Sequence, residues 1–292
     1  MSHFTVLVVG DDVEEQLSPF DENIEMPRYK KEEVSEEEKE QMVDYYIEHE
    51  NFEGTFEECY VKYGDDWNGN GWRKGITGAW HVWSTYNPQS QWDWYSVGGR
   101  WSGFFKLKED ATGKMGRPGV FGNEAKKGYV DIIEKNNWDI EGTKNDAKER
   151  AMKHYTLLES CFPNGFPKMT ILWKDVDYKS EESKEAYHNQ EALVIRKDID
   201  SSKLSEEQKK AFAWFDLVDF QCTLEEYGQR AYDNAISTFA MVVDGEWVEK
   251  GSMGWFGMSS NEMEQTDWNK IIDRIIDEAD DETTFTIVDC HI

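Results

Sequence analysis

The chain has 292 residues, and its 60 acidic side chains outnumber its 32 basic ones, which gives a net charge of −28 at pH 7. Aromatic residues make up 14% of the sequence, which argues against the disorder typical of acidic chains that lack them. The sequence contains no run of about 18 apolar residues, so it predicts no membrane span. The excess of acidic residues disfavours direct nucleic-acid binding, which needs lysine and arginine.

Charge and composition vary along the chain. Residues 11–66 contain 21 acids and 5 bases, whereas residues 67–130 contain 4 acids and 9 bases. Residues 67–130 also contain 7 of the 13 tryptophans and most of the 22 glycines, and we call them the Trp/Gly segment. An aromatic, mildly cationic segment is therefore flanked by acidic ones.

The first half of the chain predicts strands and one helix. The run HFTVLVV at 3–9 is apolar and β-branched and ends at a glycine, as a buried strand does. The sequence S-E-E-E at 35–38 is a capping box, which marks the start of a helix. Further strands are predicted at 80–86, 92–97 and 104–108. The predicted apolar face of the helix consists of Met42, Val43, Tyr46 and Ile47.

The region that follows predicts mainly helix. We expect a helix over about 145–160 from its apolar spacing. Capping boxes at 205–208 and 223–226 predict two more helices. Short apolar runs at 169–173 and 192–197 predict strands.

The C-terminal region predicts a hairpin, a helix and a strand. The hairpin covers 238–249 and turns at Asp244-Gly245. Thr266 is predicted to cap a last helix, and 284–288 to form the terminal strand. The predicted apolar stripe of that helix consists of Trp268, Ile271, Ile272, Ile275 and Ile276. Because these elements show no regular βαβ repeat, we predict an α+β fold, with a mixed or antiparallel sheet that includes both terminal strands.

The segment WDWYSVGGRWSG, which begins at Trp92, is the most distinctive candidate ligand site. Arg100 follows two glycines and precedes Trp101, so its guanidinium can pair with an anion while stacking on an indole. Trp92 and Trp94 lie on one face of the predicted strand. The favoured interpretation is nevertheless a tryptophan-rich core with a tight turn, because tryptophan mostly packs. Arg100 would then pair with a carboxylate, for which Asp93 is the nearest in sequence.

A second candidate ligand site is the glycine-rich sequence GKMGRPGVFG at 113–122. Its backbone amides, with Lys114 and Arg117, have the chemistry to hold a phosphate. It lacks the G-K-[ST] ending of a P-loop, so a surface loop between strands is the favoured alternative.

The sequence contains no recognisable catalytic constellation. The six histidines show no H-x-x-x-H spacing, and no Ser-His-Asp or Cys-His order has a local signature. Four widely separated cysteines predict free thiols in a reducing cytoplasm, and the N-terminus has no secretory signal. We therefore expect a protein that is not an enzyme and that uses neither a metal nor a cofactor.

Several segments together resemble a family of uncharacterised bacteriophage proteins. They are MSHFTVLVVGDDVEEQLSPFDEN at 1–23, WSTYNPQSQWDWYSVGGRWSGFFKLK at 83–108, GRPGVFG at 116–122, DGEWVEKGSMGWFG at 244–257 and TIVDCHI at 286–292. Their placement implies one α+β core built from 1–130 and 235–292, with 131–234 as a mainly helical insert. In size and acidity the chain is similar to the Gabija anti-defence proteins, which surround a nuclease–ATPase complex. The resemblance implies a phage protein that acts in the host cytoplasm.

Three functions are compatible with these features. The first is a non-enzymatic inhibitor that binds a host defence complex through acidic surface, with homo-oligomerisation left open. The second is a nucleotide-binding sponge or nucleotide-processing enzyme that uses the Trp/Gly segment, and the third is an acidic mimic of nucleic acid. For the first, the candidate partner-binding residues are Glu32, Glu33, Glu36, Glu37, Glu38 and Glu40.

Overall fold

The structure, a computed structural model, describes residues 2–69, 71–118, 126–253 and 258–292, and it has the predicted α+β fold. The strands are β1 (His3–Val9), β2 (Tyr29–Glu33), β3 (Trp72–Lys74), β4 (Trp80–Ser84), β5 (Trp94–Gly99), β6 (Phe105–Lys106), β7 (Arg117–Pro118), β8 (Tyr129–Val130), β9 (Ile132–Glu134), β10 (Ala240–Val243), β11 (Glu246–Glu249), β12 (Ser252–Met253), β13 (Ser259–Ser260) and β14 (Thr284–His291). The helices are α1 (Val13–Leu17), α2 (Glu36–Glu50), α3 (Phe56–Asn68), α4 (Ile140–Glu159), α5 (Glu181–Asn189), α6 (Glu191–Lys197), α7 (Glu206–Ala213), α8 (Leu224–Asp233) and α9 (Gln265–Glu278). Among the described residues, no helix is both long and apolar enough to cross a membrane.

The chain divides into two compact units. The first comprises Met1–His3, Asp12–Tyr95 and Cys290–Ile292, and the second comprises Phe4–Asp11 and Ser96–Asp289. The whole of 131–234 belongs to the second unit, together with the central strands.

A mixed sheet forms the centre of the second unit. Its strand order is β11-β10-β1-β14-β5-β7, and β9 also pairs with β14. Strands β1 and β10 are parallel, whereas β10 and β11 form the predicted antiparallel hairpin. Its turn residues Asp244 and Gly245 both have positive φ, 52° and 76°, as a tight hairpin turn requires. The expectation that both terminal strands share one sheet is confirmed, because β1 and β14 are neighbours in it.

Helix α9 buries the apolar stripe predicted for it. Trp268, Ile272 and Ile276 are buried in the main core of the second unit, and Ile271 and Ile275 are partly buried against it. The predicted cap Thr266 is wrong, because α9 begins at Gln265 after the N-cap Glu264. The periodic burial of apolar residues therefore located this helix better than its capping signal did.

Helices α4 to α8 surround a separate aromatic core within the second unit. The large buried residues of this core include Tyr155, Leu158, Phe162, Phe215, Leu217 and Phe220. The strand predicted at 192–197 is wrong, because this run is helix α6, with Ala192 and Leu193 buried. A short apolar run has no periodicity long enough to distinguish a strand from a helix.

The strand predicted at 169–173 is also wrong. The backbone N–H groups of Met169 and Thr170 donate to side-chain amide oxygens, those of Gln221 at 2.8 Å and Gln190 at 3.0 Å. Two glutamines thus satisfy the backbone donors that a neighbouring strand would otherwise satisfy.

The first unit contains α2, α3 and a small antiparallel sheet of order β2-β4-β3. Helix α2 begins at the predicted capping box of Ser35 and Glu38. Helix α3, which was not predicted, also begins at a capping box, formed by Thr55 and Glu58. The buried core consists of Val34, Met42, Tyr46, Cys59, Tyr60 and Trp72. Ile47, which was predicted on the apolar face of α2, is instead 48% exposed.

Two buried aspartates hold the turn at Gly98–Gly103 in the second unit. Asp131 is fully buried, and its carboxylate accepts hydrogen bonds from the Ser102 hydroxyl at 2.9 Å and from two backbone N–H groups. Asp289 is 2% exposed and accepts a hydrogen bond from the backbone N–H of Arg100 at 2.9 Å. The carboxylates therefore replace water around a turn that is partly enclosed.

The glycines of this turn are required by the aspartates. Gly98 and Gly99 have φ values of 77° and 52°. Residues other than glycine rarely adopt such positive backbone angles. A Cβ atom at Gly98 would overlap Asp131, and one at Gly99 would overlap Asp289.

We expect Gly99→Ala to lower the free energy of unfolding by about 3 kcal/mol or more, because the new methyl group must displace Asp289 and occupy left-handed backbone. Gly245→Ala is the control, since its φ is 76° and nothing lies within 4 Å of the added Cβ. We expect this control to lose about 1 kcal/mol. Urea unfolding followed by circular dichroism measures both, and equal losses would contradict a role for the aspartate contact.

Candidate functional site

The tryptophans proposed for ligand stacking differ in exposure. In the first unit, Trp92 is buried and its indole N–H donates to the Leu17 carbonyl at 3.2 Å, whereas Trp94 is 49% exposed. Trp101, in the second unit, packs against the main core. The core interpretation therefore describes Trp92 and Trp101, and Trp94 is the accessible indole of the three.

Arg100 lies at the surface rather than among buried indoles. Its side chain is exposed, so desolvation does not oblige its guanidinium to find a buried partner. The carboxylate expected to pair with it, Asp93, instead lies 2.6 Å from Nδ1 of His291. In the turn, the backbone N–H of Arg100 donates a hydrogen bond to the Asp289 carboxylate.

Lys114 and Arg117 have exposed side chains, and their backbones take part in sheet pairing with Ile132 and Gly98. The rest of the predicted phosphate loop, 119–122, lies outside the described residues. Of the six ligand candidates, Trp92 and Trp94 belong to the first unit and the other four to the second. None of them lines the cavities described below.

The acidic candidates lie on β2 and at the start of α2 in the first unit. Glu32 and Glu33 are exposed on β2, an edge strand of its sheet. On α2, the exposed candidates are Glu36, Glu37 and Glu40. Glu38 differs from them, because its carboxylate accepts hydrogen bonds from the backbone N–H and the hydroxyl of Ser35, each at 2.7 Å. Glu38 therefore caps the helix.

A groove of about 600 Å³ lies beside the start of α2, and we call it the acidic groove. Four carboxylates line it, those of Glu36, Glu40, Asp44 and Glu57. Two half-buried aromatic rings also line it, Phe56 and Trp80, packed edge to face with centroids 5.2 Å apart. Carboxylates attract cations, and so do the faces of aromatic rings. The groove therefore has the chemistry of a site for cationic side chains.

One ammonium group of the chain already lies in the acidic groove. Lys39 Nζ is 2.6 Å from Glu36 Oε1 and 5.9 Å from the centroid of Phe56. The Lys39 side chain is only 14% exposed, whereas that of Glu36 is 85% exposed. The groove thus partly desolvates a cation between a carboxylate and a ring.

An exposed apolar residue lies at the tip of the hairpin that borders the acidic groove. The hairpin joins β3 to β4, and its residues Gly78 and Trp80 line the groove. Ile76 at the tip is fully exposed. A single exposed apolar side chain is ordinary for a surface, and this one lies on the same hairpin as two residues that line the groove.

The sequence identified half of the carboxylates of this groove and none of its rings. The density of acidic residues along the chain predicts Glu36 and Glu40. Phe56 and Trp80 were missed because they come from a later helix and strand. The signal for Phe56 was present, since the capping box at Thr55 makes it the first residue of α3.

Comparisons with known proteins place the chain in no family. No protein-family model, curated protein or solved structure matches it. Within the part of the chain that the structure describes, no group of three histidine, cysteine, aspartate or glutamate side chains is arranged to hold a metal ion.

The cap of α2 makes the first unit sensitive to pH. Hydrogen bonds from the Ser35 hydroxyl, and then from its backbone N–H, lower the pKa of Glu38. A lowered pKa in the folded state means that the ionised carboxylate stabilises the fold above the ordinary glutamate pKa. That stabilisation is lost as the pH falls through the lowered value.

We therefore expect Ser35→Ala to cost about 1 kcal/mol at neutral pH and less at an acidic pH below the lowered pKa of Glu38. Ser205→Ala is the matched control, because Ser205 caps α7 in a box with the uncharged Gln208. Its cost should change little between the two pH values. Urea unfolding at both values tests this, and parallel behaviour of the two variants would contradict the assignment to Glu38.

Proposed function

We propose that this chain is a phage-encoded, non-enzymatic inhibitor of a host antiviral defence complex, such as a Gabija-type nuclease–ATPase. It acts in the host cytoplasm by binding the complex through the acidic groove and the neighbouring glutamates of β2 and α2. The observation that carries the proposal is the position of Lys39, whose ammonium group lies in the groove between Glu36 and Phe56. A basic side chain of a partner would occupy the same environment.

The chemistry of the groove favours a basic protein surface over other partners. Nucleases and ATPases that bind nucleic acid carry lysine and arginine where phosphates dock. Carboxylates at the groove supply the complementary charge, and the rings of Phe56 and Trp80 supply stacking for a guanidinium or ammonium group. The exposed Ile76 adds apolar contact beside the charged area.

The net charge of −28 favours rapid encounter with such a surface. Complementary long-range charge raises association rates, and salt weakens it beyond a Debye length of about 8 Å at physiological ionic strength. Inhibition by occupation of a basic site needs no catalytic group on the inhibitor.

The direct test is binding to a purified Gabija-type complex, measured by surface plasmon resonance at low and high salt, together with the nuclease activity of that complex. We expect Glu36→Lys to slow association about tenfold and to change dissociation less, because the lost charge acts mainly during encounter. Association of the parent chain should slow markedly as salt is raised.

Glu206→Lys is the matched control. Glu206 begins α7 as Glu36 begins α2, pairs with a lysine three residues later at 2.6 Å, and is 83% exposed. The helical and charge effects of the two reversals are therefore alike, and only Glu36 lines the acidic groove. Equal slowing by both reversals would show that net charge rather than the groove guides binding, and absence of binding by the parent chain would overturn the proposal for this complex.

Removal of Lys39 should have the opposite effect. We expect Lys39→Met to tighten binding about threefold to tenfold, because it removes a competing cation and leaves the Glu36 carboxylate open to the partner. Lys209→Met, which removes the corresponding partner of Glu206 in α7, should leave affinity within about twofold. Weaker binding by Lys39→Met would show that Lys39 itself contacts the partner or shapes the groove.

A further inference from the structure

A second pocket, in the helical part of the second unit, has a different chemical character. It has a volume of about 480 Å³ and is lined by side chains of α5, α6, α7 and the segment after α6. Its polar lining residues are Tyr187, His188, Arg196 and Lys197, and its apolar ones are Leu193, Ile199 and Phe212. Its volume lies within the range usual for small-molecule sites, about 300–1,000 Å³.

The two cationic side chains of this pocket, Arg196 and Lys197, do not form the ion pairs with carboxylates that nearby lysines form. Near it in sequence, Lys184 pairs with Glu181 and Lys209 pairs with Glu206, each at 2.6 Å. Among the residues that the structure describes, no carboxylate forms an ion pair with Arg196 or Lys197. In a chain with almost two acids for every base, two cations that form no ion pair leave positive charge available to an external anion.

Arg196 is held in place from one side. Its guanidinium lies over the ring of Phe215, 4.8 Å from the centroid, and one of its N–H groups donates to the Phe215 carbonyl at 3.2 Å. These contacts use one edge and one face of a planar group that has five N–H donors. The side chain is thereby oriented, and its other donors remain for a ligand.

Aromatic rings line the same pocket as these cations. Tyr187 and Phe212 both line the pocket, and Tyr187 is fixed by Trp173, whose ring centroid lies 4.9 Å away at an angle of 64°. The ring centroids of His188 and Tyr187 lie 5.3 Å apart. Burial, and then the charge of Asp216, raise the pKa of Tyr187, and the Asp216 carboxylate accepts a hydrogen bond from the backbone N–H of Val218 at 3.0 Å.

We propose that this pocket binds a nucleoside monophosphate. The argument rests on the combination of groups, because an oriented guanidinium with an ammonium group on the same pocket suits a phosphate, and aromatic walls suit the planar base attached to it. This site is separate from the acidic groove in its residues, and its occupation does not depend on the proposed inhibition.

The test is isothermal titration of the full chain with AMP, with adenosine and inorganic phosphate as partial ligands. We expect AMP to bind and each partial ligand to bind at least about tenfold more weakly, because each lacks one of the two groups. Lys197→Gln should weaken AMP binding about tenfold without changing the melting temperature, since Lys197 is exposed.

Lys184→Gln is the control, because Lys184 on α5 carries the same charge but is paired with Glu181. It should leave AMP binding within about twofold. Tyr187→Leu should weaken AMP binding and leave the binding of inorganic phosphate unchanged. No binding of AMP at millimolar concentration, equal binding of inorganic phosphate, or equal effects of Lys197→Gln and Lys184→Gln would each overturn the proposal.

Discussion

Complete burial of the Asp131 carboxylate is the constraint on which the centre of the second unit depends. A buried carboxylate without hydrogen-bond donors costs several kcal/mol, so the chain must bring donors to it. Ser102 and the backbone of Gly116 do so at 2.9 and 2.8 Å. The backbone of the same aspartate donates to the Lys114 carbonyl and accepts from the Ile287 N–H, each at 3.0 Å. One residue therefore joins the terminal strand, the glycine turn and the segment before β7.

Close approach of the backbone to internal groups explains the two glycines that precede Arg100 and, within the predicted phosphate loop, Gly116. Gly98 and Gly99 are glycines because an aspartate lies where a Cβ would be, and Gly116 is one because the Val97 carbonyl lies there. In phosphate loops, glycines let the backbone approach a ligand anion. In this chain they let the backbone approach anions that belong to the protein. The physical requirement is the same, and sequence spacing cannot distinguish an internal carboxylate from an external phosphate.

The sequence predicted those features that depend on local interactions. Capping boxes at Ser35, Ser205 and Thr223 each begin a helix, and the Asp244-Gly245 turn forms its hairpin. It failed where a distant side chain replaces a backbone partner, as Gln190 and Gln221 do at 169–171. It also failed for the site, since the ring of Trp80 joins α2 and α3 only through the tertiary packing of the first unit. The density of charge along the chain located the glutamates, but it could not predict the groove that they line or its aromatic rings.

Because acidic residues greatly outnumber basic ones in this chain, a basic side chain that is not simply paired with a surface carboxylate stands out. Many lysines in this chain pair with a carboxylate three residues away on the surface, an arrangement that contributes little to stability. Lys39 differs because its side chain is 14% exposed and reaches an aromatic ring as well. Arg196 differs because its guanidinium is oriented by Phe215 rather than by an acid. Lys39 and Arg196 both line cavities, where partial desolvation makes a charge more effective than it is in open solvent.

Charge and aromatic packing make separable contributions in the acidic groove. Exposed carboxylates such as Glu36, whose side chain is 85% exposed, act over a distance and are screened by salt, so they govern the rate of encounter. The half-buried rings of Phe56 and Trp80 act only in contact, so in the proposed complex they govern how long a partner's cation stays bound. A mimic of nucleic acid would need the first property alone. The presence of aromatic rings among the carboxylates is therefore the feature that favours recognition of particular basic side chains over general attraction to positive charge.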